Sequence, residues 1–138
     1  MSAAPLVIDT SVALKWLKPQ GEQHVEAATA LLEQHQAGSV VLHAPTHLLL
    51  EVMNALWSHR ATAAQITRAV RLLRQLHIVF VEPAPGLLGR AAELAVAHRV
   101  TAYDALFAAL AEDLGCELVT DDRKLAGSGA CKVRRLGA

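Results

Sequence analysis

Aromatic residues are scarce in this chain: two Trp, two Phe and one Tyr make up 4% of it, against 53% hydrophobic residues in all. The apolar content is therefore almost entirely aliphatic, and 138 residues with that much of it build a compact core rather than a disordered ensemble. Cysteine is nearly absent. Cys116 and Cys131 match neither a zinc-ligand spacing nor a disulfide framework, which leaves them as reduced, buried thiols of a cytosolic protein. No charge excess exists either, since 13 basic residues balance 13 acidic ones. That excludes coating of nucleic acid by global attraction, so any phosphate contact must come from a local patch or from bound cations. Long apolar runs are missing as well: His47 and Glu51 interrupt the best candidate before it reaches the roughly 18 residues of a membrane span. Met1 to Pro5 lack the basic start of a signal peptide, so a soluble, cytoplasmic protein with no membrane segment is expected. The apolar surplus leaves hydrophobic surface over for a partner without locating it.

What is present alternates. Leu6-Val7-Ile8 reads as a short buried strand, followed by a helix from Thr10 or Ser11 to Leu17 that Pro19 stops. Val25, Ala28, Leu31 and Leu32 recur at helical spacing within Glu22 to Ala37, and Gly38 fits a C-terminal cap. Val40-Val41-Leu42 is a second strand. Pro45 is read as opening a helix to about His59, and another runs from about Thr62 to Leu76. Ile78 to Val81 is a third strand, helices follow at about Gly86 to His98 and Ala102 to Leu114, and Glu117 to Thr120 and Lys132 to Leu136 are the last strands. Short strands alternating with helices predict one three-layer α/β/α domain, residues 1–138, around a mostly parallel sheet.

In such sheets, sites form at the carboxyl ends of strands, near a switch in strand order. Asp9 follows the first strand; Asp121 and Asp122 follow the fourth. Each of these acids could equally cap the next helix. Glu51 has no such explanation. It interrupts the apolar stretch Leu48 to Leu56, and at helical spacing His47, Glu51, Asn54 and Ser58 form one narrow polar stripe. Such a stripe ordinarily faces solvent. Here the apolar arc is too wide for a surface helix, so a largely buried helix lining a pocket is expected. Asp104 sits in a first turn where Thr101 and Asp104 match a capping box, and an acid there also points toward the helix N-terminus. Small Ala105, Ala108 and Ala109 let this helix lie close to the sheet.

Carboxylates within about 4 Å of one another repel by a few kcal/mol at an effective dielectric near 20. A cluster of them raises its pKa values, comes apart, or holds a cation, and carboxylate oxygens suit Mg²⁺ or Mn²⁺. A zinc site from His43, His47 and Glu51 is disfavoured because Pro45 keeps His43 off the helix face. Arg60, Arg68, Arg71 and Arg74 form a basic surface, with Arg68 and Arg71 on one face; it is a solvated surface or an RNA-phosphate contact, as are Arg123, Lys124, Arg134 and Arg135. Trp16 is either partly buried packing or a stacking surface for a base or partner peptide.

Four segments in order carry a family resemblance: Val7-Ile8-Asp9-Thr10-Ser11, Leu50-Glu51-Val52-Met53-Asn54-Ala55-Leu56, Tyr103-Asp104-Ala105-Leu106, and Leu118-Val119-Thr120-Asp121-Asp122-Arg123-Lys124-Leu125. The chain resembles the PIN-domain nucleases, most closely the VapC-type toxins of toxin–antitoxin pairs. The resemblance implies that Asp9, Glu51, Asp104 and Asp122 are the catalytic acids, with Thr120 as a supporting hydroxyl and Ser11 behind Asp9. It implies Mg²⁺, with Mn²⁺ as substitute, held by Asp9 and Asp104 most directly and by Asp122, while Glu51 completes the shell or orients water. Asp121, an extra neighbouring acid, is the alternate for the fourth position. Hydrolysis of an RNA phosphodiester by metal-activated water, a homodimer and an inhibitory antitoxin partner complete the expectation. The rival class is a non-catalytic α/β binding or receiver-like signalling module, although Ile78 to Val81 is followed by Glu82-Pro83 rather than by a phosphoryl-accepting Asp.

Overall fold

A computed structural model of the chain describes residues 3–137. Among these the elements run β1 (Ala4–Ile8), α1 (Thr10–Leu17), α2 (Val25–Gln36), β2 (Val40–Pro45), α3 (His47–Ser58), α4 (Ala63–Gln75), β3 (Val79–Val81), α5 (Pro85–His98), α6 (Ala102–Leu114), β4 (Leu118–Thr120), α7 (Arg123–Ala126) and β5 (Val133–Arg135). The strands form one sheet of order β3-β2-β1-β4-β5, and every pairing is parallel. The expected parallel α/β architecture is the one observed. A receiver-type sheet has the order 2-1-3-4-5, which this is not.

The chain winds from β1 to β2 to β3 in one direction and returns through α5 and α6 to β4 on the far side of β1. Right-handed crossovers then put the first four helices on one face and α5–α6 on the other. Coverage on both faces explains why Leu6, Val7 and Ile8 are all buried, without alternation. Helix α6 is buried at every residue from Ala105 to Ala111 and lies against β1, β2 and β4, a close approach its alanines permit. At the end of α2, Gly38 takes φ +82°, and the amides of Gly38 and Ser39 close the helix onto His35 and Gln34.

Three local expectations change. Pro45 ends β2 opposite Val81 instead of opening a helix; at a strand's last position its missing N–H costs no ladder bond, and Thr46 N–H takes up the Val81 carbonyl. Glu22 lies before α2, which starts at Val25 after His24 in a left-handed conformation. Helix α3 is only half buried. Leu48, Val52 and Leu56 face the core, but Leu50 (67% exposed), Met53 (39%) and Trp57 (68%) form a second apolar stripe turned outward. No single helix among the described residues is long and apolar enough to cross a membrane.

Candidate active site

The topological switch lies where β1 neighbours both β2 and β4, and the next residues after β1 and β4 carry acids. Asp9 is 4% exposed. It caps α1 by accepting the Ser11 N–H at 3.1 Å, and two hydroxyls clamp it: Ser11 Oγ donates to Oδ1 at 2.5 Å and Thr120 Oγ1 donates to Oδ2. Each hydroxyl is aimed in turn by a backbone amide. Asp121 N–H donates to Ser11 Oγ at 2.9 Å, and Asp122 N–H donates to Thr120 Oγ1 at 3.0 Å. Ser11 and Thr120 thus stand directly on Asp9. Burial nevertheless pushes the Asp9 carboxyl up to about 6, because desolvation outweighs the hydroxyl bonds and nearby Asp122 adds repulsion.

The two acids after β4 diverge. Asp122 Oδ1 caps α7, accepting from the amides of Lys124 and Leu125, and its charge is felt at both Asp9 and Asp104. Asp121 instead accepts from Lys15 Nζ and His24 Nδ1, each at 2.9 Å. Partial burial alone would push the Asp121 carboxyl up, but those two donors hold it below the usual carboxylate range.

Asp104, on the first turn of α6, sits above the ordinary aspartate value through burial first, then through Asp122 and Glu51. Thr101 caps this helix by accepting the Asp104 N–H at 3.1 Å. Glu51 takes a hydrogen bond from Thr10 Oγ1 at 2.7 Å, tying α1 to α3. His47 spans α3 and α6: its ring lies 4.5 Å from Phe107, and Nε2 donates to the Tyr103 carbonyl at 3.0 Å. That bond fixes the tautomer, and Nδ1 is left buried without a partner. Burial lowers the His47 pKa against the pull of Glu51 and Asp104, so an uncharged imidazole faces these acids. His47 was marked in the sequence by its place in the polar stripe with Glu51, and Thr10 by adjoining Asp9; Lys15 carried no signal, because its partner Asp121 lies far off in sequence. His43 sits on β2 and bonds the Val41 carbonyl, apart from His47.

Among the described residues no Lys or Arg comes within 4.0 Å of Asp9, Glu51, Asp104 or Asp122. Nor do three His, Cys, Asp or Glu side chains stand at a spacing that closes a metal shell. An all-oxygen set of mutually repelling, cation-free carboxylates fits a hard divalent ion that keeps several waters and takes few protein ligands. It does not fit zinc. Of the basic candidates, Lys124 is close enough to lower the Asp104 pKa. Arg123 opens α7 and is exposed, and Arg134 pairs with Glu117 at 2.8 Å. Arg68 and Arg71 are not brought to the acids; they line depressions against Leu72, one of them shared with Leu17, Lys18, Leu56 and Arg60. Trp16 is packing: its Nε1 donates to the Ala28 carbonyl at 2.8 Å and fastens α1 to α2.

The parallel α/β sheet is the architecture the sequence segments anticipated, and the pattern that defines the PIN domain matches residues 6–127. The chain belongs to the PIN-domain family. Among curated relatives, Ribonuclease VapC3 of Pyrobaculum aerophilum is 36% identical over 126 residues, covering 88% of this chain and 92% of its own. Among the solved structures that share the fold are two toxin structures. VapC20 of Mycobacterium tuberculosis, a Sarcin-Ricin loop cleaving toxin, has a TM-score of 0.71 and 19% identity over 94% of this chain and 98% of that one. A toxin–antitoxin complex from Klebsiella pneumoniae has a TM-score of 0.66 and 18% identity over 94% and 95%.

Proposed function

We propose that the protein is a metal-dependent endoribonuclease that acts as the toxin of a toxin–antitoxin pair in the cytoplasm. The observation that carries the catalytic part is that Asp122 repels both Asp9 and Asp104, and Glu51 repels Asp104, while no Lys or Arg among the described residues comes within 4.0 Å of the four. The ribonuclease relative supports RNA as substrate, and the toxin and toxin–antitoxin neighbours share the fold in which that role occurs.

Asp9, Asp104 and Asp122 would hold Mg²⁺, with Mn²⁺ as substitute. When bound, such an ion supplies charge for the phosphodiester and a lowered pKa for a water molecule. The chain's own residues do the rest. Ser11 and Thr120 hold the Asp9 carboxylate in one orientation, and Thr10 holds Glu51 in reach of Asp104 to complete the shell or orient water. Lys124, whose charge reaches Asp104, and the exposed Arg123 beside it would meet RNA phosphate at the edge of this acidic centre. The outward stripe of Leu50, Met53 and Trp57 supports a protein partner, as a homodimer or with an antitoxin.

Purified protein is expected to cut RNA with Mg²⁺, to stop with a chelator, and to recover with added Mg²⁺ or Mn²⁺. Asp9→Asn and Asp104→Asn each abolish cleavage and keep the wild-type circular dichroism spectrum. Full cleavage by either variant, or undiminished cleavage in chelator, overturns the proposal.

A further inference from the structure

Lys15 is the one lysine on α1 whose ammonium is withdrawn from solvent: its side chain is 3% exposed, with Nζ 2.9 Å from both Glu22 Oε1 and Asp121 Oδ2. A buried ammonium is costly unless paired, so this contact is a fixed feature of the fold, unlike an exposed ion pair. Its importance lies in what the same residue does with its backbone. Asp121 holds Lys15 and His24 through its side chain and, through its N–H, donates to Ser11 Oγ at 2.9 Å. A hydroxyl that accepts from an amide is oriented to donate elsewhere, and Ser11 Oγ donates to Asp9 Oδ1 at 2.5 Å. Lys15 and Ser11 lie one helical turn apart on α1, so α1 grips the β4–α7 connection at two points, once by charge and once by hydroxyl.

We infer that Lys15 is a positioning residue for the metal-binding carboxylate Asp9, acting through Asp121 and Ser11 without touching the site. This rests on the reading of Asp9 as a metal ligand. The extra acid beside Asp122 is then no spare ligand; it is the anchor that sets one of the two hydroxyls on Asp9. Groups that orient a ligand from behind commonly change metal affinity by 10- to 100-fold when removed.

The probe is Mn²⁺ alone, its binding followed by loss of the free-ion electron paramagnetic resonance signal, with thermal unfolding alongside. Lys15→Met is expected to weaken Mn²⁺ binding about 10-fold in a folded protein. Ser11→Ala should do the same, and the double variant should be hardly weaker than either single one, because both act on the same bond. A lysine that served only to hold α1 in place would not show that coupling. Should Lys15→Met fail to fold, Asp121→Asn keeps the backbone amide, removes the ionic anchor and carries the same expectation. Unchanged Mn²⁺ affinity in the folded variant, or losses that multiply in the double variant, overturn the inference while leaving the metal reading intact. Wild-type protein that binds no Mn²⁺ overturns both.

Discussion

Burial pushes the Asp9 carboxyl from an ordinary 3.8 to about 6, so without metal the folded protein holds a proton there more tightly than the unfolded chain does. The sign of the linkage follows. Stability from this group is present below 3.8 and is lost as pH rises through about 6, by about 3 kcal/mol at ~1.4 kcal/mol for each pH step between the two values. A cation needs the ionised carboxylate, so Mn²⁺ affinity should rise over the window in which metal-free stability falls. Asp9→Asn removes the charge and is expected to raise the metal-free melting temperature at pH 7.5 by a few degrees, while abolishing the shift that Mn²⁺ gives wild type. Thermal denaturation with and without Mn²⁺ checks this; a metal-free variant that melts lower than wild type contradicts it. At this scale the acids were legible in the sequence because they follow strands or break an apolar helix. His47 was legible as part of the polar stripe on α3, though not its bond to the Tyr103 carbonyl, which docking of α6 sets; Lys15 was not legible, since nothing local marks a lysine for burial.

Among the elements, α3 is the least legible. Its apolar residues form two stripes, and periodicity cannot say which one the core will take in. The core takes Leu48, Val52 and Leu56, while Leu50, Met53 and Trp57 face outward. The two stripes give opposite expectations. Leu48→Ala leaves a cavity in a fully buried position and should cost about 3 kcal/mol in denaturant unfolding. Leu50→Lys with Trp57→Lys should leave unfolding of the monomer within about 0.5 kcal/mol of wild type, yet abolish any self-association seen by sedimentation. An unchanged association state in that double variant would separate the stripe from the homodimer. Pro45 and α7 show the other limits. Proline at a strand's last residue leaves the same trace as proline at a helix start, and a helix of four residues is too short to have a period.

The alternation of short strands with the longer helices was enough to predict parallel pairing and to bring the segments after β1 and β4 together at the switch point. The distribution of basic charge was not legible. Arg68 and Arg71 lie on α4 along depressions bordered by Leu72, away from the acids, and the chain as a whole carries no net charge. Replacing both with Ala should weaken RNA binding and flatten its dependence on salt, by about 0.7 in slope for each phosphate no longer neutralised, with kcat unchanged. Binding that keeps its salt slope would mark them as a solvated surface.

The acids come from both ends of the chain and from both layers of helices: Asp9 just after β1, Glu51 and Asp104 from α3 and α6, and Asp122 just after β4. Pairing of β1 with β4 sets Asp9 near Asp122, and docking of α6, with Phe107 under His47, adds Asp104. A chain still being synthesised therefore holds separate carboxylates and no centre. The proposed centre would form only after α6 and the residues following β4 have left the ribosome and joined the sheet.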